Sequence, residues 1–213
     1  MARRIDDDRQ WTVAVVLAAG RGSRFGGIKQ IADLGGRPIL RWAIDAAAGH
    51  RNIDETIVVL GAHAACVRER VDLTGATIVI CEDWARGPAA SLRVGIDAAI
   101  ERGASAVVVT LGDHPMLHPD AIGRVLDAPT DVARASYDGR PGHPVVLRGG
   151  AMHEVVALDD PARRSYLREH AVPVPVEDVD DGVDVDRPED LRALARSVRP
   201  RRAPEHPFGD GGS

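Results

Sequence analysis

The chain is poor in aromatic residues. Three tryptophans, two tyrosines and two phenylalanines make up 3% of 213 residues, so alanine, valine, leucine and isoleucine must fill the core. Cysteine is scarcer still: Cys66 and Cys81 stand in unrelated segments. This excludes a disulfide framework and a cysteine-built metal site, and both read as reduced thiols of a cytoplasmic protein. No run of about 18 apolar residues occurs, so no membrane-spanning helix is expected. The opening residues, MARRIDDDRQ, carry cations without an apolar stretch and do not read as a secretory signal. Positive charge is not in excess either. The formal net charge of −5 argues against nucleic acid as a partner. What remains is an ordinary globular composition, 44% hydrophobic and 28% charged, in a chain long enough for one large domain.

Glycine is plentiful, and its most informative cluster follows the apolar run Val13 to Leu17, which reads as a buried strand. Gly20, Gly22, Gly26 and Gly27 come next, with Arg21, Arg24 and Lys29 among them. Glycine lets backbone N–H groups approach an anion closely, and successive N–H groups form a nest for it. Arginine's planar fork suits phosphate. A polyphosphate is the natural ligand. A purely structural turn would crowd three cations with no counter-charge.

Two common motifs fail here. No Gly-Lys-Ser/Thr sequence completes a Walker loop. The dinucleotide fingerprint G-x-G-x-x-G has Gly20 and Gly22 but Phe25 in the third place. Its acidic partner would fall near Asp45, inside an alanine-rich helical pattern.

Strand and helix alternate over roughly the first 130 residues, which implies a parallel sheet with helices on both faces. Further strands are expected at Glu55–Leu60, Thr77–Ile80, Ser105–Leu111, Asp131–Ser136, His143–Leu147, Val172–Val176 and Val183–Val185. Asp33–Pro38 reads as a turn, with Pro38 opening a helix. Residues 11–198 form the domain, between a disordered start at 1–10 and a disordered tail at 199–213.

Ligands of such folds sit beyond the carboxyl ends of the strands, where both the Gly20 loop and Asp113 fall. Asp113 follows the strand VVVTL and is a candidate magnesium ligand; the alternative is a helix cap. Asp184 and Asp186 precede a helix opened by Pro188, and on an extended backbone they point the same way. Asp186 would join Asp113 on the metal.

The stretch Leu17-Ala18-Ala19-Gly20, with Arg24, Phe25, Gly26 and Lys29, fits L-A-A-G-x-x-x-R-hydrophobic-G-x-x-K without a gap. It resembles the signature loop of the MobA-like NTP transferase family. The likeness runs over about residues 12 to 195. It includes Leu34 to Pro38, VVLGAH at 58–63, GPAASLRVG at 87–95, LGDHP at 111–115, GHPV at 142–145 and DVDRPEDL at 184–191. The ASL and GHPV pieces point to the molybdopterin cytidylyltransferase subgroup. The chain departs from the family at Phe25, Ile28, His114 and Arg187, where Met, Pro, Gln and Thr are usual.

The resemblance implies a Rossmann-like three-layer α/β/α sandwich with a mostly parallel sheet, of the nucleotide-diphospho-sugar transferase type. It implies a magnesium-dependent nucleotidyltransferase that takes an NTP, CTP above all, and a phosphate-bearing acceptor, molybdopterin. A molybdoenzyme or its maturation machinery would be the macromolecular partner. Arg24, Lys29 and Asp113 would be catalytic. Leu17, Ala18, Ala19, Gly20, Arg21, Gly22 and Ser91 would hold the nucleotide, although Ser91 also suits a helix N-cap. Asp113 and Asp186 would hold the metal, and His143, beside the turn, would line the acceptor pocket. The rivals are a guanylyltransferase, a dinucleotide-binding oxidoreductase built on the half fingerprint, and a non-catalytic relative serving the molybdenum cofactor.

Overall fold

The computed structural model describes residues 10–198; of the disordered ends expected at 1–10 and 199–213, all but residue 10 lie outside the described residues. A seven-stranded sheet forms the middle layer. Its first strand, β1 (Thr12–Ala18), is the apolar run read from the sequence. It lies between two parallel neighbours, β4 (Glu55–Leu60) and β6 (Ala106–Leu111). Leu17 is level with Val59 on one side and Leu111 on the other, so the Gly20 loop and Asp113 leave the sheet side by side.

β5 (Thr77–Ile80) pairs with β4 at one edge. Beyond β6 come β8 (Arg140–Arg148), β7 (Val132–Tyr137) and β9 (Val172–Pro175), giving the order β5-β4-β1-β6-β8-β7-β9. Only β8 runs against the rest. It is longer than the expected His143–Leu147, because the tight turn at Asp138-Gly139, with φ of 50° and 77°, lets pairing start at once. His143, expected at the strand's start beside the turn, therefore lies inside the strand.

Alternation along the strands builds two apolar layers. Val13 and Val15 face α3 (Pro88–Glu101), with α5 (Gly150–Ala157) and α6 (Asp160–His170) further along the same face. Ala14 and Val16 face α1 (Ile39–Ala48) and α2 (Ala64–Arg70), and α4 (Pro119–Asp127) covers Val108, Ala133 and Val146 beside them. Burying each such valine contributes about 1.5–3 kcal/mol, and each alanine less. With few aromatics, the layers must close tightly. α3 reaches the sheet through Gly95, where a Cβ would stand 2.5 Å from Val15 Cγ1 and 2.9 Å from Val59 Cγ2.

Two expectations change. Asp33–Pro38 is a small hairpin, β2 (Asp33–Leu34) and β3 (Arg37–Pro38), turned by Gly35 and Gly36 with φ of 65° and 87°. Pro38 pairs with Asp33 and precedes α1 instead of opening it. Val183–Val185 is irregular and adds no strand; its peptide group bonds to the loop after β6. Val185 is fully buried among Leu34, Ile39 and Leu194, the last from α7 (Pro188–Ala195). This cluster fixes the segment carrying Asp184 and Asp186 against the Gly20 loop.

Candidate active site

A cavity of about 600 Å³ opens beyond the carboxyl ends of β1 and β6. Its walls contain Leu17, Ala18, Ala19, Gly20, Arg21, Gly22, Arg24, Lys29, Ser91, Asp113 and Asp186, every site residue expected from sequence except His143.

The Gly20 loop is held from beneath. The buried Gln30 donates through Nε2 to the carbonyls of Ala18 and Gly20, both at 2.9 Å. Ala19 accepts from Ala62 N–H at 3.1 Å. Arg21 lies over the Trp84 ring, 5.4 Å from its centroid, which holds the guanidinium at the cavity wall. Opposite, the first turn of α3 opens on the cavity behind its N-cap Gly87, whose φ of 111° favours glycine there. Ser91 lies beyond the cap position, buried, so its N-cap alternative falls away.

Lys29 is the centre of an ion-pair network. Its Nζ contacts Asp113 Oδ2 and lies 3.4 Å from Asp186 Oδ1. Arg24 meets the other oxygen of Asp186 at 2.8 Å. Asp113 has no part in capping α4. That helix is capped by His118, whose Nδ1 accepts from Asp120 N–H at 3.2 Å. Asp186 is fixed through its own N–H, which donates to Asp190 Oδ2 at 3.0 Å, as Arg187 N–H does at 2.7 Å.

Asp184 and Asp186 diverge. Asp186 enters the large cavity, whereas Asp184 lines a neighbouring one and lies 3.9 Å from His114 Nδ1. Burial, then the charges of Asp113 and Asp186, push the Asp184 carboxyl up to about 6 despite His114 and Lys29. Negative charge is therefore crowded on this wall. Two convergent carboxylates, Asp113 and Asp186, are hard oxygen donors of the kind magnesium or manganese prefers, and the residues present fit such an ion.

Behind this wall, buried His114 pairs through Nε2 with Asp180 Oδ1 at 3.1 Å. Burial opposes a charged His114, but the adjoining Asp180 carboxylate, with Asp184 and Asp181, outweighs it and raises its pKa. Asp180 also accepts from the N–H groups of His118 and Gly182, at 2.6 and 2.8 Å. The sequence reading assigned no role to Asp180 or Gln30, because neither motif nor spacing marks a side chain that fastens another loop.

His143 lies apart, on the wall shared by two adjoining cavities. Its carbonyl accepts from Tyr137 OH at 2.6 Å. Arg134 shares that wall, and the sequence reading missed it. Its signal was an arginine inside the otherwise small and apolar strand VARASY.

A phosphate-suited loop faces paired carboxylates at the carboxyl ends of the parallel strands, the arrangement of a nucleotide-binding α/β/α sandwich. More narrowly, the chain belongs to the MobA-like NTP transferase domain family, whose model matches residues 14–174. It is 31% identical over 204 residues to nicotine blue oxidoreductase of Paenarthrobacter nicotinovorans, covering 89% of this chain and 98% of that protein. It is 31% identical over 114 residues to a probable molybdenum cofactor guanylyltransferase of Thermococcus gammatolerans, 54% of each chain. The structure of Rv0371c from Mycobacterium tuberculosis H37Rv in complex with manganese superposes with a TM-score of 0.71 at 28% identity, covering 88% of this chain and 100% of that one. No helix among the described residues is long and apolar enough to cross a membrane.

Proposed function

We propose that the protein is a magnesium-dependent nucleotidyltransferase that transfers a nucleoside monophosphate, CMP by resemblance, from its triphosphate to a phosphate-bearing acceptor such as molybdopterin. The observation that carries this reading is Lys29 between Asp113 and Asp186, facing the Gly20 loop across one cavity. An acceptor phosphate oxygen attacks the α-phosphorus, the bond to the bridging oxygen breaks, and pyrophosphate leaves. The N–H groups of the Gly20–Gly22 loop, with Arg21 and Arg24, bind the triphosphate. Lys29 moves from its carboxylate partners to the phosphate oxygens on which charge develops. Asp113 and Asp186 would hold magnesium, which when bound would supply charge neutralisation at the phosphates. Catalysis is then mostly positioning and electrostatics.

The test is pyrophosphate release with each of the four nucleoside triphosphates, with and without molybdopterin, in magnesium and in chelator. CTP turnover dependent on both acceptor and metal supports the reading. A preference for GTP moves it to the guanylyl branch, and absence of pyrophosphate with every base removes it.

The likeness to nicotine blue oxidoreductase favours a second reading, a dinucleotide-binding oxidoreductase. The geometry of the loop counts against a dinucleotide fingerprint there. After Gly22 the chain makes turns and a short 3-10 helix at Lys29–Ile31, and no α-helix begins until Ile39. The helix N-terminus that would receive a dinucleotide pyrophosphate is therefore missing from that place among the described residues. Thermal shifts with CTP, GTP, NADH and NADPH separate the two readings.

A further inference from the structure

A second cavity of about 630 Å³ lies between the sheet and α6 and shares Leu17, Pro88 and Leu111 with the first. Its floor is apolar, formed by Leu92, Val109, Val145 and Leu147, and Leu167 closes it from α6. Its charged lining is one-signed: Arg134, Arg163, Arg164 and Arg168 contribute, and no acidic residue does.

Arg134 is the anomaly. It points from the middle of β7 to the face on which Val132 packs, since Ala133 and Ala135 take the other. Its Nε is buried without a hydrogen-bond partner, and it makes no ion pair among the described residues. Burial alone lowers its pKa, with no carboxylate acting on it. Arg163, by contrast, is matched by Asp160. The side chain is half-buried with its Nε wholly enclosed; a guanidinium partly removed from water without a counter-charge is unfavourable, and an anion bound beside it offsets that cost.

We infer that this cavity binds an organic anion with a flat, largely apolar ring body, its phosphate or carboxylate group seated on Arg134. A sugar phosphate fits worse, because hydroxyls turned toward the valine and leucine floor would be buried without partners. The cavity is of ordinary size for a small-molecule site. Calling the occupant the acceptor rests on the nucleotidyltransferase reading above; the site itself does not.

The test is calorimetric titration of the full chain, without nucleotide, with 1-naphthyl phosphate, 2-naphthol and glucose 1-phosphate. 1-Naphthyl phosphate should bind once per chain, and glucose 1-phosphate should bind at least about tenfold more weakly. Arg134→Gln should weaken 1-naphthyl phosphate by about tenfold or more and leave 2-naphthol unchanged. Lys29→Ala should leave 1-naphthyl phosphate unchanged, which excludes binding in the first cavity. Leu167→Trp, which fills the space from the helix side, should abolish binding of both naphthyl compounds. Melting curves check folding, and Arg134→Gln removes an unmatched charge, so its Tm should hold or rise. Equal binding of glucose 1-phosphate, or an Arg134→Gln protein that binds 1-naphthyl phosphate normally, overturns the inference. Titration of CTP with magnesium in the same proteins keeps the readings apart, because failure of CTP to bind counts against the nucleotidyltransferase and not against this site.

Discussion

The N–H of Val185 donates to the carbonyl of Asp113 at 2.8 Å, although 72 residues separate them. The bond joins the loop after β6 to the strap before α7, and so sets Asp113 and Asp186 on one wall. Neither carboxylate is placed by its own strand or helix alone.

Asp113→Asn should therefore keep the fold, since the backbone bond survives, while losing the charge. Metal-dependent pyrophosphate release should fall by about a hundredfold or more. Manganese affinity, read by electron paramagnetic resonance, should fall with it. Near-normal turnover with unchanged metal dependence would take Asp113 out of the site.

Lys29 and Arg24 should separate kinetically. The Lys29 side chain is 13% exposed between two carboxylates, whereas that of Arg24 is 68% exposed and meets only Asp186 among the described residues. Lys29→Ala should lower kcat by about 10²–10³ with a small change in KM, because charge grows in the transition state. Arg24→Ala should raise KM for the triphosphate by about tenfold with little effect on Tm, as an exposed ion pair contributes little to stability. A Lys29→Ala protein altered only in KM would make Lys29 a binder of ground and transition state alike.

Much of this arrangement was legible in the sequence, for identifiable reasons. β1 and β6 are apolar runs too short for helices, and glycine follows soon after each ends, so the first cavity could be placed by the rule for parallel sheets. Most of what was not legible depends on contacts distant in sequence. Asp184 and Asp186 were expected to point together, but buried Val185 and the Asp190 cap turn them into different cavities. The length of β8 depended on the tight turn before it. Arg134 was passed over because one arginine in a strand reads as solvent-facing until the covering helix is known.

Gly95 offers a test of the packing. A methyl there would press on Val15 and Val59 at the centre of the sheet. Gly95→Ala should destabilise the protein by about 1–3 kcal/mol in urea unfolding. An unchanged midpoint would mean that α3 can lift from the sheet at no cost.

His143 gives a pH dependence of defined sign. Burial first, then the positive charges of Arg134, His114 and Arg163, push it down to about 4. Its unfolded value is about 6.5, so between these the unfolded chain binds the additional proton. The stability contributed is full above about pH 6.5 and is lost as pH falls through about 4, to at most about 3 kcal/mol. His143→Gln should flatten the fall in Tm across that window. An acid profile unaltered by the substitution would assign the lability to another group.

Gly20 separates function from folding most cleanly. A Cβ at Gly20 would meet nothing within 4 Å, and its φ lies outside the left-handed region, so alanine fits the fold without strain. The residue nevertheless lines the first cavity, and its carbonyl is held by Gln30. A methyl there stands where the triphosphate must approach the backbone N–H groups. Gly20→Ala should therefore leave Tm unchanged, or raise it slightly by restricting the unfolded chain. It should weaken triphosphate binding by about tenfold or more in calorimetric titration. Gly22→Ala makes the contrast, because its φ of 68° and a Cβ 3.1 Å from the Gly27 carbonyl would strain the loop itself and lower Tm as well. If Gly20→Ala bound triphosphate as the parent does, the phosphates would have to lie elsewhere in the cavity, nearer Arg21 and Trp84 than the loop backbone.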